Sequence, residues 1–313
     1  MNTPFKLNML LIITVFLVAV AVTACGAAQP TVQIAPTQQT DDFVMALALS
    51  TLDNPFFVSM QKGAEEAANR THTRLLVVDA KDDAGRQAKQ IQQLIEQSVD
   101  ALLVNPVDGE AIVESIKAAN SANIPVITLD RSANGGKIVT HIASDNVAGG
   151  EMAADYLAEI LGKRGKVVEL EGSAGTSAAA DRGAGFNQAM LKYPNIEIVA
   201  RQSANFNRSD GRTVFAQILK ENPEIDGVFA HNDDMVLGAI DAAKQERRMD
   251  DIKFVGFDAI DLAVSALEKG DLEATIAQQP AEMGRLGVEM AAKYLHGESL
   301  PDYIPVDLAL LTQ

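Results

Sequence analysis

Residues 99–108 read VDALLVNPVD, and residues 225–234 read IDGVFAHNDD. In each, a short apolar run, ALLV or GVFA, gives way at once to polar residues. A run that is apolar throughout and bounded so closely reads as a strand buried on both faces, the condition of a parallel sheet covered by helices. One step further on the chain repeats itself again, where IPVITLDR (124–131) is echoed by IKFVGFDA (252–259). Strands of the same kind in the same order, twice, predict an α/β chain of two similar lobes, each a doubly wound parallel sheet.

The flanking sequence agrees. Strand-like runs at VMALAL (44–49), RLLVVD (74–79), IVTHIAS (138–144), KVVELEG (166–172), EIVARQS (197–203), EATIAQ (273–278) and YIPVDLALL (303–311) are separated mostly by helical stretches. Gln87, Ile91, Leu94 and Ile95 form one apolar stripe, and Met283, Leu286, Met290 and Tyr294 form another. A chain of 313 residues is long enough for roughly two domains with separate cores.

In open parallel sheets, ligands sit beyond the carboxyl ends of the strands. Asn54, Asn105, Asp130, Asn232 and Asp258 all occupy such ends. Asn and Asp also cap the helix that follows a strand, so each has a structural alternative. The stretch Asp53-Asn54-Pro55-Phe56-Phe57 poses the same choice. Asn54 and Pro55 suit a helix start, and the two rings either pin that helix to a core or face a ligand.

The N-terminal end has another character. After Lys6, residues 7–24 read LNMLLIITVFLVAVAVTA, the pattern of a secretory signal. Val22-Thr23-Ala24-Cys25 resembles the lipobox of bacterial lipoproteins, which makes Cys25 the expected site of lipidation. It is the only cysteine, so no disulfide forms within the chain. The segment GAAQPTVQIAPTQQT, rich in Gln, Thr, Pro and Ala, reads as a tether. A net charge of −16 argues against nucleic acid and against a polybasic membrane contact.

Catalytic motifs are not found. The sequence has neither HExxH nor GxSxG, and the glycine-containing run from Glu171 to Ser177 lacks the lysine of a phosphate-binding loop. His231-Asn232-Asp233-Asp234 enters a helix with its side chains diverging, a poor metal site. Asp79, Asp82 and Asp83 do not follow EF-hand spacing. Asp130, Arg131, Arg182 and Asp258 are charged residues able to share a cleft. Arginine beside aspartate keeps carboxylates ionised and accepting, which suits hydrogen bonding to hydroxyls better than proton transfer. No cofactor, no metal and no enzymatic activity are expected.

The segments STLDNPFF, NIPVITLDR, HIASDN, GTSAAADRGAGF, FNRSDG, VFAHNDDMVLGA, VGFDA, ATIAQQP and YIPVDLALL, in this order, resemble the type I periplasmic sugar-binding family, above all its ribose-binding members. The resemblance runs from about residue 42 to the C-terminus. It implies two lobes joined by a three-strand hinge and closing on a sugar. Residues 1–24 would then be the signal and 25–41 the tether. Residues 42–144 with 277–305 would form the first lobe, and 145–276 with 306–313 the second. Carried over one by one, the sugar contacts would be Asn54, Phe56, Phe57, Asp130 and Arg131 from the first lobe. Arg182, Phe206, Asn232 and Asp258 would come from the second, with Gln278 near a crossing.

The implied role is a monomeric, lipid-anchored extracytoplasmic receptor that delivers D-ribose to an ABC permease and its ATPase; presenting the sugar to a chemoreceptor is a further role compatible with this one and invisible in the sequence. Allose, xylose or a furanose is the alternative ligand. The effector domain of a LacI-like regulator and a sugar-processing enzyme are the alternatives from other classes; a signal and a cysteine stand here where such regulators carry a DNA-binding helix-turn-helix. Asp53 and His231 depart from the residues common in the family and are expected to tune affinity or pH response from behind the contacts.

Overall fold

The computed structural model of the protein describes residues 43–313; the signal, tether and Cys25 lie outside the described residues. Along the chain, β1 (Phe43–Leu49), α1 (Pro55–Arg70), β2 (Thr73–Asp79), α2 (Ala84–Glu96), β3 (Ala101–Val104), α3 (Val113–Ser121), β4 (Val126–Leu129) and β5 (Thr140–Ala143) come first. Then follow α4 (Asn146–Ile160), β6 (Gly165–Glu171), α5 (Ser177–Met190), β7 (Ile196–Ser203), α6 (Arg208–Glu221), β8 (Gly227–Ala230), α7 (Asp233–Gln245), β9 (Lys253–Asp258), α8 (Asp261–Lys269) and β10 (Ala274–Ala277). The chain ends with α9 (Pro280–Leu295), β11 (Tyr303–Pro305) and β12 (Ala309–Thr312).

Two six-stranded sheets result, ordered β11-β5-β4-β3-β1-β2 and β12-β10-β9-β8-β6-β7. The internal repeat seen in sequence is thus a repeat of topology, with β1 to β5 matched by β6 to β10. Every pairing is parallel except that of β12, which runs antiparallel to β10.

The doubly apolar strands are explained by what covers each face. Along β1, Met45, Leu47 and Leu49 join a core cluster with α1 and α9, while Ala46 and Ala48 join another with α2 and α3. Side chains alternate across a strand, so consecutive residues serve different cores. In the second lobe, α4 and α5 cover one face and α6 and α7 the other.

Two expectations change. YIPVDLALL is not one strand: β11 pairs with β5 in the first sheet and β12 pairs with β10 in the second. Pro305 has no amide hydrogen, and after Val306 donates to the Ala143 carbonyl at 3.0 Å the chain leaves for the other lobe. The buried face of α9 is also rotated from the predicted stripe. Met283 is fully buried, but its companions there are Gly284, Gly287, Val288, Ala291 and Ala292, while Leu286, Met290 and Tyr294 are half-buried. The small residues face inward because α9 crosses α1 at backbone contact, and large side chains would hold the helices apart.

The chain passes between the sheets three times, after β5, after β10 and after β11. Two direct bonds also span the lobes away from these crossings. Gly109 N donates to the Gly175 carbonyl at 3.0 Å, and Ser132 N donates to Ser177 Oγ at 2.9 Å. The lobes are therefore closed on each other.

Candidate sugar-binding site

The loop after β1 begins the site. Asn54 caps α1, its Oδ1 accepting from Phe56 N at 2.8 Å, and Pro55 occupies the first turn. That start fixes Phe56 and Phe57, whose rings meet edge to face at 5.1 Å between centroids. Both rings are buried in the α1 and α9 core, and both also line a cavity between the lobes. Packing in the core and lining the cavity are therefore not alternatives for these residues.

The cavity is walled by Asn54, Phe56, Phe57, Asp130 and Arg131 from the first lobe and by Ala178, Arg182, Phe206, Asn232 and Asp258 from the second. It holds only about 20 Å³, because the walls contributed by the two lobes stand close together. Nine of the ten predicted site residues thus meet at one place. Gln278 stands behind them, its Nε2 donating to Asp258 Oδ1 at 2.8 Å. It faces an adjoining hollow of about 490 Å³ that also touches Phe56 and Asp258. That hollow is larger, but the convergent charges and rings surround the smaller one.

Asp130 and Asp258 close β4 and β9, the equivalent strands of the two lobes. Both have positive φ, 63° and 113°. This region costs a non-glycine residue about 1–3 kcal/mol, and here it turns each carboxylate toward the cavity wall. Asp130 Oδ2 accepts from Asn105 Nδ2 at 3.1 Å and lies 3.8 Å from Arg131 Nε. Asn105 itself is anchored: its Oδ1 accepts from Ser50 N, and its carbonyl accepts from Gln87 Nε2 at 2.8 Å. Burial raises the pKa of Asp130, and Arg131 opposes the rise.

Arg131 donates from Nη1 to the Pro106 carbonyl at 3.3 Å, while its buried Nε has no hydrogen-bond partner in the protein. Its guanidinium lies 5.2 Å from the Phe57 centroid and 5.4 Å from that of Phe206. Arg182 is more completely held. Nε donates to Asn146 Oδ1 at 2.8 Å, Nη1 donates to the His231 carbonyl, and the group lies 3.7 Å from the Phe257 centroid. Nη1 is 3.5 Å from Asp258 Oδ1. Burial pushes Asp258 up to about 7, with Arg182 as the main opposing influence. Burial lowers both arginines, although a guanidinium stays charged at any ordinary pH.

Phe206 projects from a left-handed residue, φ 56°, at the entrance to α6 and is half-buried. Gly172 lies beneath its ring, where a Cβ would stand 2.1 Å from Cζ. Asn232 caps α7, its Oδ1 accepting from Met235 N at 3.0 Å, and its Nδ2 donates to the Phe206 carbonyl at 3.2 Å. Its capping role and its place on the wall coexist, as they do for Asn54.

Three participants were not picked out as site residues. Ala178, in the first turn of α5, lines the cavity, and nothing local in the sequence marks a small apolar residue as such. Asn105 was read only as a strand end, and its bond to Asp130 links residues 25 positions apart. Asn146 follows β5 in the segment HIASDN, so the strand-end rule applied to β5 would have found it. His231 lies outside the cavity wall. Its Nδ1 accepts from Gly172 N at 3.2 Å and its Nε2 bonds buried Glu169 at 2.9 Å, while its carbonyl holds Arg182. Among the described residues, no group of three His, Cys, Asp or Glu side chains is placed to hold a metal ion.

Comparison with known proteins meets this geometry. The chain is 44% identical over 272 residues to the ribose import binding protein RbsB of Bacillus subtilis, covering 87% of this chain and 88% of that protein. It is 45% identical over 269 residues to the protein of that name from Escherichia coli, covering 86% and 90%. Among solved structures, an ABC transporter periplasmic solute binding protein from Actinobacillus succinogenes with bound D-allose superposes with a TM-score of 0.81 at 33% identity, covering 86% of this chain and 97% of that one. These relatives are sugar-binding proteins rather than enzymes. The profile of the periplasmic binding protein domain matches residues 45–299, and with two parallel-sheet lobes closed over a charged, ring-lined cavity, the chain belongs to the periplasmic binding protein family.

Proposed function

We propose that this protein captures D-ribose outside the cytoplasm and delivers it to an ABC importer, catalysing nothing itself. The observation that carries the reading is a buried cavity combining two carboxylates, two guanidinium groups and three phenylalanine rings. A pyranose has hydroxyls around its edge, each able to donate and accept, and C–H groups on its faces. Asp130 and Asp258 suit the donors, Arg131 and Arg182 the acceptors, and the rings of Phe56, Phe57 and Phe206 suit the faces. Hydrogen bonds to charged groups are worth about 1.5–3 kcal/mol each. Arg131 Nε, a buried donor without a protein partner, gains most from a sugar oxygen.

A hexose is the second reading, supported by the D-allose bound to the structural relative. Closure about the three crossings would present a loaded face to the permease and its ATPase, and to a chemoreceptor where one exists. In this reading residues 42–144 with 277–305 move against 145–276 with 306–313, in a monomer. Lipid on Cys25 would hold the protein at the outer face of the membrane through the tether.

Calorimetric titration of the purified chain with ribose, allose, xylose and arabinose tests the assignment. Heat and tight binding with ribose are expected. Tight binding of another sugar, with ribose silent, would overturn the substrate and leave the class standing.

A further inference from the structure

Arg182 sits on α5, and part of what places it belongs to α4, the helix that receives the chain after the first crossing. Asn146, the first residue of α4, accepts from Arg182 Nε at 2.8 Å. One turn further, a Cβ on Gly150 would stand 2.2 Å from the Arg182 carbonyl oxygen and 2.8 Å from Phe186 N. The contact is reciprocal, since a Cβ on Gly185 of α5 would stand 2.0 Å from the Val147 carbonyl oxygen of α4. The main chain of Arg182 therefore rests on α4 where only glycine fits, and its Nε is held by the same helix, while the His231 carbonyl and the Phe257 ring hold the rest of the guanidinium.

The first lobe shows the same construction. There α9 receives the chain after the second crossing, and α1 carries Phe56 and Phe57. A Cβ on Gly284 would stand 2.0 Å from the Met60 carbonyl oxygen, and one on Gly63 would stand 1.9 Å from that of Ala281. In both lobes the helix leaving the hinge is pressed directly against the helix bearing site residues.

We propose that Gly150 and Asn146 are positioning residues for sugar recognition, fixing Arg182 to the helix that emerges from the hinge. The inference rests on the reading of Arg182 as a sugar contact. A methyl group at Gly150 has to move the Arg182 main chain by most of an ångström. That is enough to stretch a hydrogen bond of ordinary length beyond its useful range.

The test uses the full chain. Unfolding temperature is titrated with ribose into the high millimolar range for the wild type, Gly150→Ala, Asn146→Ala and Gly227→Ala, and for the first two variants combined with Arg182→Ala. Gly150→Ala and Asn146→Ala are each expected to weaken ribose tenfold to a hundredfold alone and to add nothing once Arg182 is gone. Gly227→Ala, whose Cβ would stand 2.9 Å from Leu157 Cδ1 in the core of the same lobe, should lower the unfolding temperature and keep affinity. Equal losses with and without Arg182, or full affinity in folded Gly150→Ala, would overturn the proposal. If Gly150→Ala does not fold, the Asn146→Ala cycle decides. A wild type whose unfolding temperature does not move with ribose would overturn the functional reading, and with it the role given to both residues.

Discussion

Arg182→Ala is the sharpest probe of the site. Arginine has five N–H donors, and the protein claims two of them here, at Asn146 and the His231 carbonyl. Donors remain for two charge-assisted bonds to a sugar, together about 3–6 kcal/mol, so affinity should fall by roughly two to four powers of ten. The protein itself also loses a buried cation beside Asp258, and removing one member of a buried pair costs about 3–5 kcal/mol. That second loss depends on pH. Asp258 already titrates near 7, and without Arg182 its pKa rises further, so the carboxyl escapes the penalty by staying protonated. Destabilisation from this source should be small at pH 5 and reach about 1.4 kcal/mol at pH 8, growing by about that much for each further unit until the variant's own raised pKa is passed. Calorimetry with ribose and urea unfolding at both pH values measure the two effects separately. Affinity within threefold of wild type would remove Arg182 from the site, and a stability loss equal at pH 5 and pH 8 would refute the account of Asp258.

Other outcomes follow from the same geometry. Hydroxyl donors stabilise the Asp258 carboxylate, so sugar binding should release a fraction of a proton near pH 6–7 and tighten as pH rises through about 7; buffers of different ionisation enthalpy read this, and Asp258→Asn should abolish it. Without ligand the sign is reversed for folding: Asp258 binds its proton more tightly folded than unfolded, so its contribution to stability declines as pH rises from about 4 to about 7. Phe57→Ala should cost about 3–5 kcal/mol of stability, being core as well as wall, whereas Phe206→Ala should cost mainly affinity, about 1.5–3 kcal/mol, because its ring is half-buried. Unfolding midpoints and ribose titrations of the two variants make that contrast measurable. Cys25→Ala should move the protein from the membrane fraction to the soluble fraction in the producing cell, and unchanged membrane recovery would count against a lipid on Cys25.

The fold was legible because apolar strands such as ALLV and GVFA are constrained on both faces, and because the series occurs twice. The site was legible wherever its residues stand at strand ends, as Asn54, Asp130, Asn232 and Asp258 do. What escaped was set by long-range approach. The buried face of α9 depends on how closely α1 can come, which its own periodicity does not carry. Asn105 acquires its meaning from Asp130, and Ala178 matters for the room it leaves. Phe56 and Phe57 looked ambiguous for a physical reason, since a residue on the inner wall of a closed cavity is also a core residue.

The split of YIPVDLALL between the two sheets bears on when this protein can fold. Tyr303 pairs with His141 and Leu310 with Ile276, and Met283, Val288 and Ala291 of α9 complete the core beneath β1. The first lobe thus waits for residues that follow the whole run from β6 to β10 in the chain. Contacts of such sequence separation form slowly. Neither sheet therefore holds all six of its strands until residues 303–312 have been made, so the two lobes are finished together rather than one after the other.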